Sequence, residues 1–131
     1  KHSKIIIMAA AVADFKPDKS ENQKIKKESG KKGITLVPTK DILLELGKRK
    51  HGSLLVGFAL ETENEVANAK KKLHNKNLDL IVLNSLNDEN SGFGYDTNKV
   101  TIMDKQTSTK LELMSKKEVA IKIVKEVINR I

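Results

Sequence analysis

The chain has 131 residues, 38% of them hydrophobic and 32% charged, enough for one modest core and unlike a disordered segment. With no cysteine it has no disulfide, no thiol nucleophile and no thiolate metal site, and no apolar run nears the ~20 residues of a membrane span. The 25 Lys and Arg against 17 Asp and Glu leave +8, which favours phosphate-bearing or other anionic ligands without naming one.

Lys1-His2-Ser3-Lys4 leads directly into Ile5-Ile6-Ile7-Met8, and residues 4–11 read as a strand buried on both faces. The start has neither an initiator Met nor a secretory signal, so the chain reads as a fragment of cytoplasmic origin. Small residues follow in Ala9-Ala10-Ala11-Val12-Ala13-Asp14, where a ligand can approach the backbone closely. Residues 15–33 carry Pro17, Gly30, Gly33 and seven lysines, the pattern of a long solvated flap. Ile34-Thr35-Leu36-Val37 reads as a short strand stopped by Pro38, and Thr39 as the cap of a helix from about Lys40 to Lys50. Ser53 to Phe58 is a second buried strand. Thr62-Glu63-Asn64-Glu65 has the spacing of a capping box opening a helix to about Lys76, with Val66, Ala69 and Leu73 on its apolar side. Leu78 to Leu83 is a third buried strand. After a polar stretch from Asn84 to Asn98, Val100–Met103 and Lys110–Leu113 bracket a turn as a hairpin. Ser115-Lys116-Lys117-Glu118 is a second capping box, before a helix with Val119, Ile123, Val127 and their neighbours on an apolar stripe. This order predicts an α/β fold: a Rossmann-like, mostly parallel sheet flanked by helices, with a C-terminal β-hairpin and a flap. Ligands of such sheets sit beyond the carboxyl ends of the strands, here Ala9–Asp14, Phe58–Thr62 and Asn84–Gly94.

Each candidate residue has a chemical and a structural reading. Asp14 can hold a ribose hydroxyl or a phosphate-bound metal, or be a solvated loop acid. Lys24-Ile25-Lys26-Lys27 can close ammonium groups on a phosphate, or merely solubilise the flap. Lys72 and Lys76 stand one helical turn apart, where an anion would relieve their repulsion, but a charged surface face gives the same pattern. Phe58 can stack on a nucleobase or fill the core. His2, His51 and His74 lack metal-ligand spacing, and Ser115 is a cap rather than a nucleophile. Gly92-Phe93-Gly94 opens no helix and is no dinucleotide fingerprint, and there is no P-loop.

Taken in order, several segments resemble the phosphopantothenate–cysteine ligase family, usually the C-terminal half of a bifunctional coenzyme A biosynthesis flavoprotein. They are Ala9–Pro17, Lys24–Lys27, Lys40-Asp41-Ile42-Leu43, Val56–Thr62, Lys76–Ile81, Gly92–Asn98 and Ser115–Glu118, spanning nearly the whole chain. The resemblance implies a CTP-dependent ligase that joins cysteine to 4′-phosphopantothenate through an acyl-cytidylate, with Mg2+ on the nucleotide and FMN only in a separate decarboxylase half. It also implies that residues 1–131 are the C-terminal portion of one ligase domain, missing its N-terminal part and inactive alone. By the same resemblance Lys24 is the catalytic cation. Met8, Ala9, Ala10, Asp14, Lys24, Lys40, Asp41, Ile42, Leu43, Phe58, Lys72 and Lys76 contact the nucleotide. Ala10, Ala11 and Lys24 meet the phosphopantothenate. A homodimer pairing near the flap through Ile34–Val37 is implied as well. Relatives often have Asn-Pro-Asp-Ile where this chain has Thr39-Lys40-Asp41-Ile42, so the backbone at position 40 is less rigid. The rival readings are a non-catalytic nucleotide-binding module and a nucleic-acid-binding module. The latter fits the charge, but only 3% of residues are aromatic and no groove-reading helix motif is present.

Overall fold

The structure, a computed structural model, describes residues 3–24, 33–85, 87, 91 and 94–131. Its elements run β1 (Ile5–Met8), β2 (Phe15–Pro17), β3 (Leu36–Pro38), α1 (Ile42–Arg49), β4 (Leu54–Glu61), α2 (Glu65–Asn75), β5 (Leu80–Ser85), β6 (Thr97–Asn98), β7 (Val100–Met103), β8 (Ser108–Lys110), β9 (Met114–Ser115) and α3 (Lys116–Ile128). They form two units, a body of Lys1–Ala9 with Leu43–Ile131 and a smaller unit of Ala10–Ile42.

The body is a sheet in the order β1-β4-β5-β7-β8. The three strands β1, β4 and β5 are parallel, and β7 and β8 complete the sheet as an antiparallel hairpin. Alternation along β4 sends Leu54 and Val56 to one face and Leu55 and Ala59 to the other. Val119, Ile123 and Val127 of α3 cover the first face, with Leu80, Val82, Val100 and Ile102. Ala69 and Leu73 of α2, with Leu43 and Leu46 of α1, cover the second. The α/β architecture with parallel central strands and a C-terminal hairpin is therefore the one read from the sequence.

Close approach fixes how the helices sit. A Cβ at Gly47 would lie 1.9 Å from the Lys76 carbonyl oxygen, so only glycine lets α1 pass the end of α2. At the base of the sheet Asp79 ties β4 to β5, accepting from the Leu55 amide at 2.7 Å and from Lys50 Nζ at 2.7 Å. At the hairpin turn Asp104 accepts from the Gln106 and Thr107 amides, the Thr107 hydroxyl and Arg130 Nη2, pinning the turn to the end of α3. Burial alone would raise the Asp104 pKa. The hydrogen bonds from Arg130, Thr107 and Gln106 outweigh it and hold the carboxyl well below the usual carboxylate range.

Several expectations need correction. The first strand is Ile5–Met8 rather than 4–11 and is only half-buried, because it borders the sheet with β4 as its one partner among the described residues. The strand expected over Ile34–Val37 is Leu36–Pro38; it ends at the proline as read, with Pro38 its last residue and paired with Phe15. The second hairpin strand begins at Ser108, before Lys110. A small β6–β9 pair, Thr97 with Ser115 and Asn98 with Met114, was not expected. The Ser115 box forms as read: Glu118 N donates to Ser115 Oγ, and Ser115 N donates to the Glu118 carboxylate. The Thr62 box does not form. Helix α2 starts at Glu65 behind Asn64, whose left-handed backbone (φ 47°) supplies no side-chain cap.

In the smaller unit β2 and β3 make an antiparallel ribbon, Phe15 opposite Pro38 and Pro17 opposite Leu36. These four share one face, and Phe15 and Leu36 are exposed on it.

Candidate functional site

Within the smaller unit the ribbon stitches two of the sequence motifs together. Thr39 N donates to the Asp14 carbonyl at 2.8 Å, and the Thr39 hydroxyl donates to the Ala13 carbonyl. Thr39 is thus a tie between chain segments and not the helix cap expected of it; α1 begins at Ile42. The result sets the alanine-rich run beside Lys40-Asp41-Ile42. Ala10, Ala11, Asp14, Lys24, Lys40, Asp41 and Ile42 belong to this unit, all of them exposed. Ile25, Lys26 and Lys27 of the flap motif lie outside the described residues, as do Gly92 and Phe93.

Met8, Ala9, Leu43, Phe58, Lys72 and Lys76 belong to the body. Met8 pairs in register with Gly57, so Ala9 and Phe58 continue their strands from the same level at the carboxyl edge. Phe58 is 37% exposed and so is not the core residue that its apolar strand suggested. The alternation of β4 puts it on the α3 face, beyond the buried cluster. Lys72 Nζ stands 2.6 Å from Glu61 Oε1. Lys76 is the C-cap residue of α2.

Two polar clusters that sequence reasoning missed flank the turn from β4 to α2. In one, Asn68 Nδ2 donates to Glu61 Oε2 at 3.3 Å and to the Glu63 carbonyl at 2.9 Å. In the other, Glu65 Oε1 accepts from the Ser85 hydroxyl at 2.5 Å and from Asn87 Nδ2 at 2.9 Å, and Asn87 also donates to the Thr62 carbonyl. The second cluster holds the loop after β5 against the end of β4. On β5, Asn84 Oδ1 is buried without a hydrogen-bond partner among the described residues. An amide at the penultimate position of a central parallel strand was the available sequence signal, since such a strand is otherwise apolar. No group of three or more His, Asp or Glu able to hold a metal ion occurs among the described residues. A magnesium ion carried on nucleotide phosphates needs no such cage. No helix among the described residues is long and apolar enough to cross a membrane.

Comparison with known proteins supplies the context for this arrangement. The family described as the DNA/pantothenate metabolism flavoprotein C-terminal domain matches residues 1–131. A protein named cysteine/cysteine sulfinic acid decarboxylase, from an unidentified prokaryote, is 54% identical over 126 residues, 95% of this chain and 35% of its own. The coenzyme A biosynthesis bifunctional protein CoaBC of Bacillus subtilis is 47% identical over 126 residues, 95% of this chain and 31% of its own. The chain thus spans about a third of the length of the curated relatives it matches. Among solved structures, the C-terminal domain of a CoaBC is similar with a TM-score of 0.72 at 38% identity, over 95% of this chain and 53% of that one. A Cab2 variant in complex with phosphopantothenate-cysteine shares the fold, with a TM-score of 0.71 at 24% identity over 96% of this chain and 43% of that one.

Proposed function

Because this chain belongs to the DNA/pantothenate metabolism flavoprotein C-terminal domain family, we propose that it works as the C-terminal portion of a phosphopantothenate–cysteine ligase in coenzyme A biosynthesis. The 4′-phosphopantothenate carboxylate attacks the α-phosphorus of CTP, and pyrophosphate leaves. The cysteine amine then attacks the acyl-cytidylate carbonyl, the amide forms and CMP departs. Both steps build negative charge on phosphate oxygens and need cations that are in place beforehand. Lys24, solvent-exposed in the smaller unit, is the catalytic cation of this reading. Met8 and Ala9, with Ala10, Ala11 and the stitched Asp14 and Lys40–Leu43 segments, offer the nucleotide and the phosphopantothenate close backbone approach. Phe58 offers a face for the base, and Lys72 and Lys76 serve the nucleotide. Mg2+ bound to the triphosphate neutralises its charge.

The observation that carries this reading is the tie through Thr39, which joins the alanine-rich run to the Lys40–Leu43 segment, two of the motifs the family resemblance rests on. The exposed apolar face of the ribbon, with Phe15, Pro17, Leu36 and Pro38, supports a homodimer through this unit.

The test supplies the chain with the upstream portion of the ligase and measures pyrophosphate release. Release that needs both CTP and phosphopantothenate is expected, with little from the chain alone. Lys24→Gln should lower kcat by about 10²–10³-fold, the scale of losing one transition-state charge donor, while the thermal midpoint stays put. Nucleotide binding without pyrophosphate release under any substrate mixture would turn the assignment toward a non-catalytic module.

A further inference from the structure

The ion pair between Glu61 and Lys72 gives a role to a carboxylate outside the proposed substrate contacts. Glu61 closes β4 opposite Ser85 of β5, at the carboxyl edge of the parallel strands. Its side chain is 13% exposed, against 44% for Lys72. Oε1 is closed off from solvent and makes no well-formed hydrogen bond, so its charge is answered by the Lys72 ammonium at 2.6 Å. Asn68 holds the other oxygen and is itself anchored on the Glu63 carbonyl. One end of this chain of contacts is fixed by backbone, and the other ends on a half-exposed ammonium.

We propose that Glu61 is a positioning residue that fixes the Lys72 ammonium at the rim of β4, so that its remaining N–H donors meet the phosphate or sugar oxygens of the nucleotide. This rests on the function proposed above. The physical basis is twofold. A lysine side chain has many rotamers, and binding through a free one must freeze them. A carboxylate with one oxygen shut off from water strongly favours keeping its counter-ion, so Lys72 is already held when the ligand arrives. An ammonium has three donors; with Glu61 taking the inward side, the outward side stays available. Glu61 also cancels much of the charge of Lys72 at long range, so the contact adds direction rather than general attraction for anions. On a chain of net charge +8, losing that one cancellation adds little attraction, and the loss of positioning dominates.

The experiment is a double-mutant cycle in the full-length protein that carries this chain, reading steady-state constants for CTP, phosphopantothenate and cysteine. Glu61→Gln, which keeps shape and removes charge, should raise the KM for CTP by about three- to tenfold, the other two KM values staying within about twofold. Lys72→Met should raise it at least as far. In the Lys72→Met background Glu61→Gln should add nothing, which a merely structural role for Glu61 would not produce. An equal Glu61→Gln penalty in both backgrounds overturns the proposal, and so does a KM for CTP that stays level or falls. A wild-type protein with no CTP-dependent pyrophosphate release would instead overturn the function above and the inference with it. Should Glu61→Gln fold poorly, Glu61→Asp, whose carboxylate stands one methylene further from Lys72, closes the same cycle against Lys72→Met, and the same two outcomes decide it.

Discussion

The body and the Ala10–Ile42 unit use the same alternating apolar pattern to different ends. In the body, both faces of β4 and β5 are closed by helices of the same chain, and Leu55, Val56, Leu80, Ile81 and Val82 are buried. In the ribbon, alternation gathers Phe15, Pro17, Leu36 and Pro38 on one face, yet Phe15 is 59% and Leu36 56% exposed. Periodicity tells which side chains share a face; it does not tell what covers that face. The difference also sorts the chemistry. The proposed catalytic cation, Lys24, sits in the unit with the less buried surface.

Paired substitutions sharpen this contrast most. Leu73→Ala removes a fully buried side chain of α2 and should cost about 2–5 kcal/mol in urea unfolding of the body. Leu36→Asp should leave that unfolding within about 0.5 kcal/mol of the parent, while light scattering detects loss of the proposed homodimer. A Leu36→Asp protein that unfolds as easily as Leu73→Ala would break the comparison. Gly47→Ala is next in size. Its new methyl meets backbone, the Lys76 carbonyl, rather than a side chain that can turn away, so about 1–3 kcal/mol should be lost in the same assay. The smallest effect belongs to Asp104→Asn, which keeps the shape of the hairpin clamp and gives up its charge, worth about 1 kcal/mol at neutral pH. The carboxyl of Asp104 titrates lower in the folded chain than in the unfolded one. Its contribution is therefore complete above the unfolded value of about 4 and drains away as pH falls toward the folded one. Wild type and Asp104→Asn should accordingly converge in stability below about pH 4 in acid-unfolding curves, and a gap that stays constant with pH would refute the clamp.

Much of the body was legible because its signals are local. The apolar runs at Ser53–Phe58 and Leu78–Leu83 became β4 and β5 within a few residues, and the Ser115 capping box formed as spelled. The Thr62 sequence spells the same box and does not form it. Its glutamate, Glu65, is engaged by Ser85 and Asn87, twenty or more positions away, and Asn64 takes a left-handed turn in its place. A local pattern cannot register such a competitor. The site shows the same limit. The lysine at position 72 was visible as a charge one turn from Lys76, but its counter-ion on another element was not, and the pair exists only once β4 and α2 are packed. Phe58 kept two readings for a related reason: strand composition predicts apolar surroundings, while its exposure depends on how far α3 reaches along the sheet.

The border strand β1 shows what one-sided pairing entails. Ile5 to Met8 bond only to β4 among the described residues, and no proline, lysine or bulge interrupts the four. Every other backbone group along it therefore points away from β4, with no strand among the described residues to bond to. Such an edge is open to any extended segment of matching length, and its hydrophobic composition gives no deterrent. Self-association of this chain in concentrated solution would have its route in strand pairing along these four residues, opposed by the repulsion of a +8 charge.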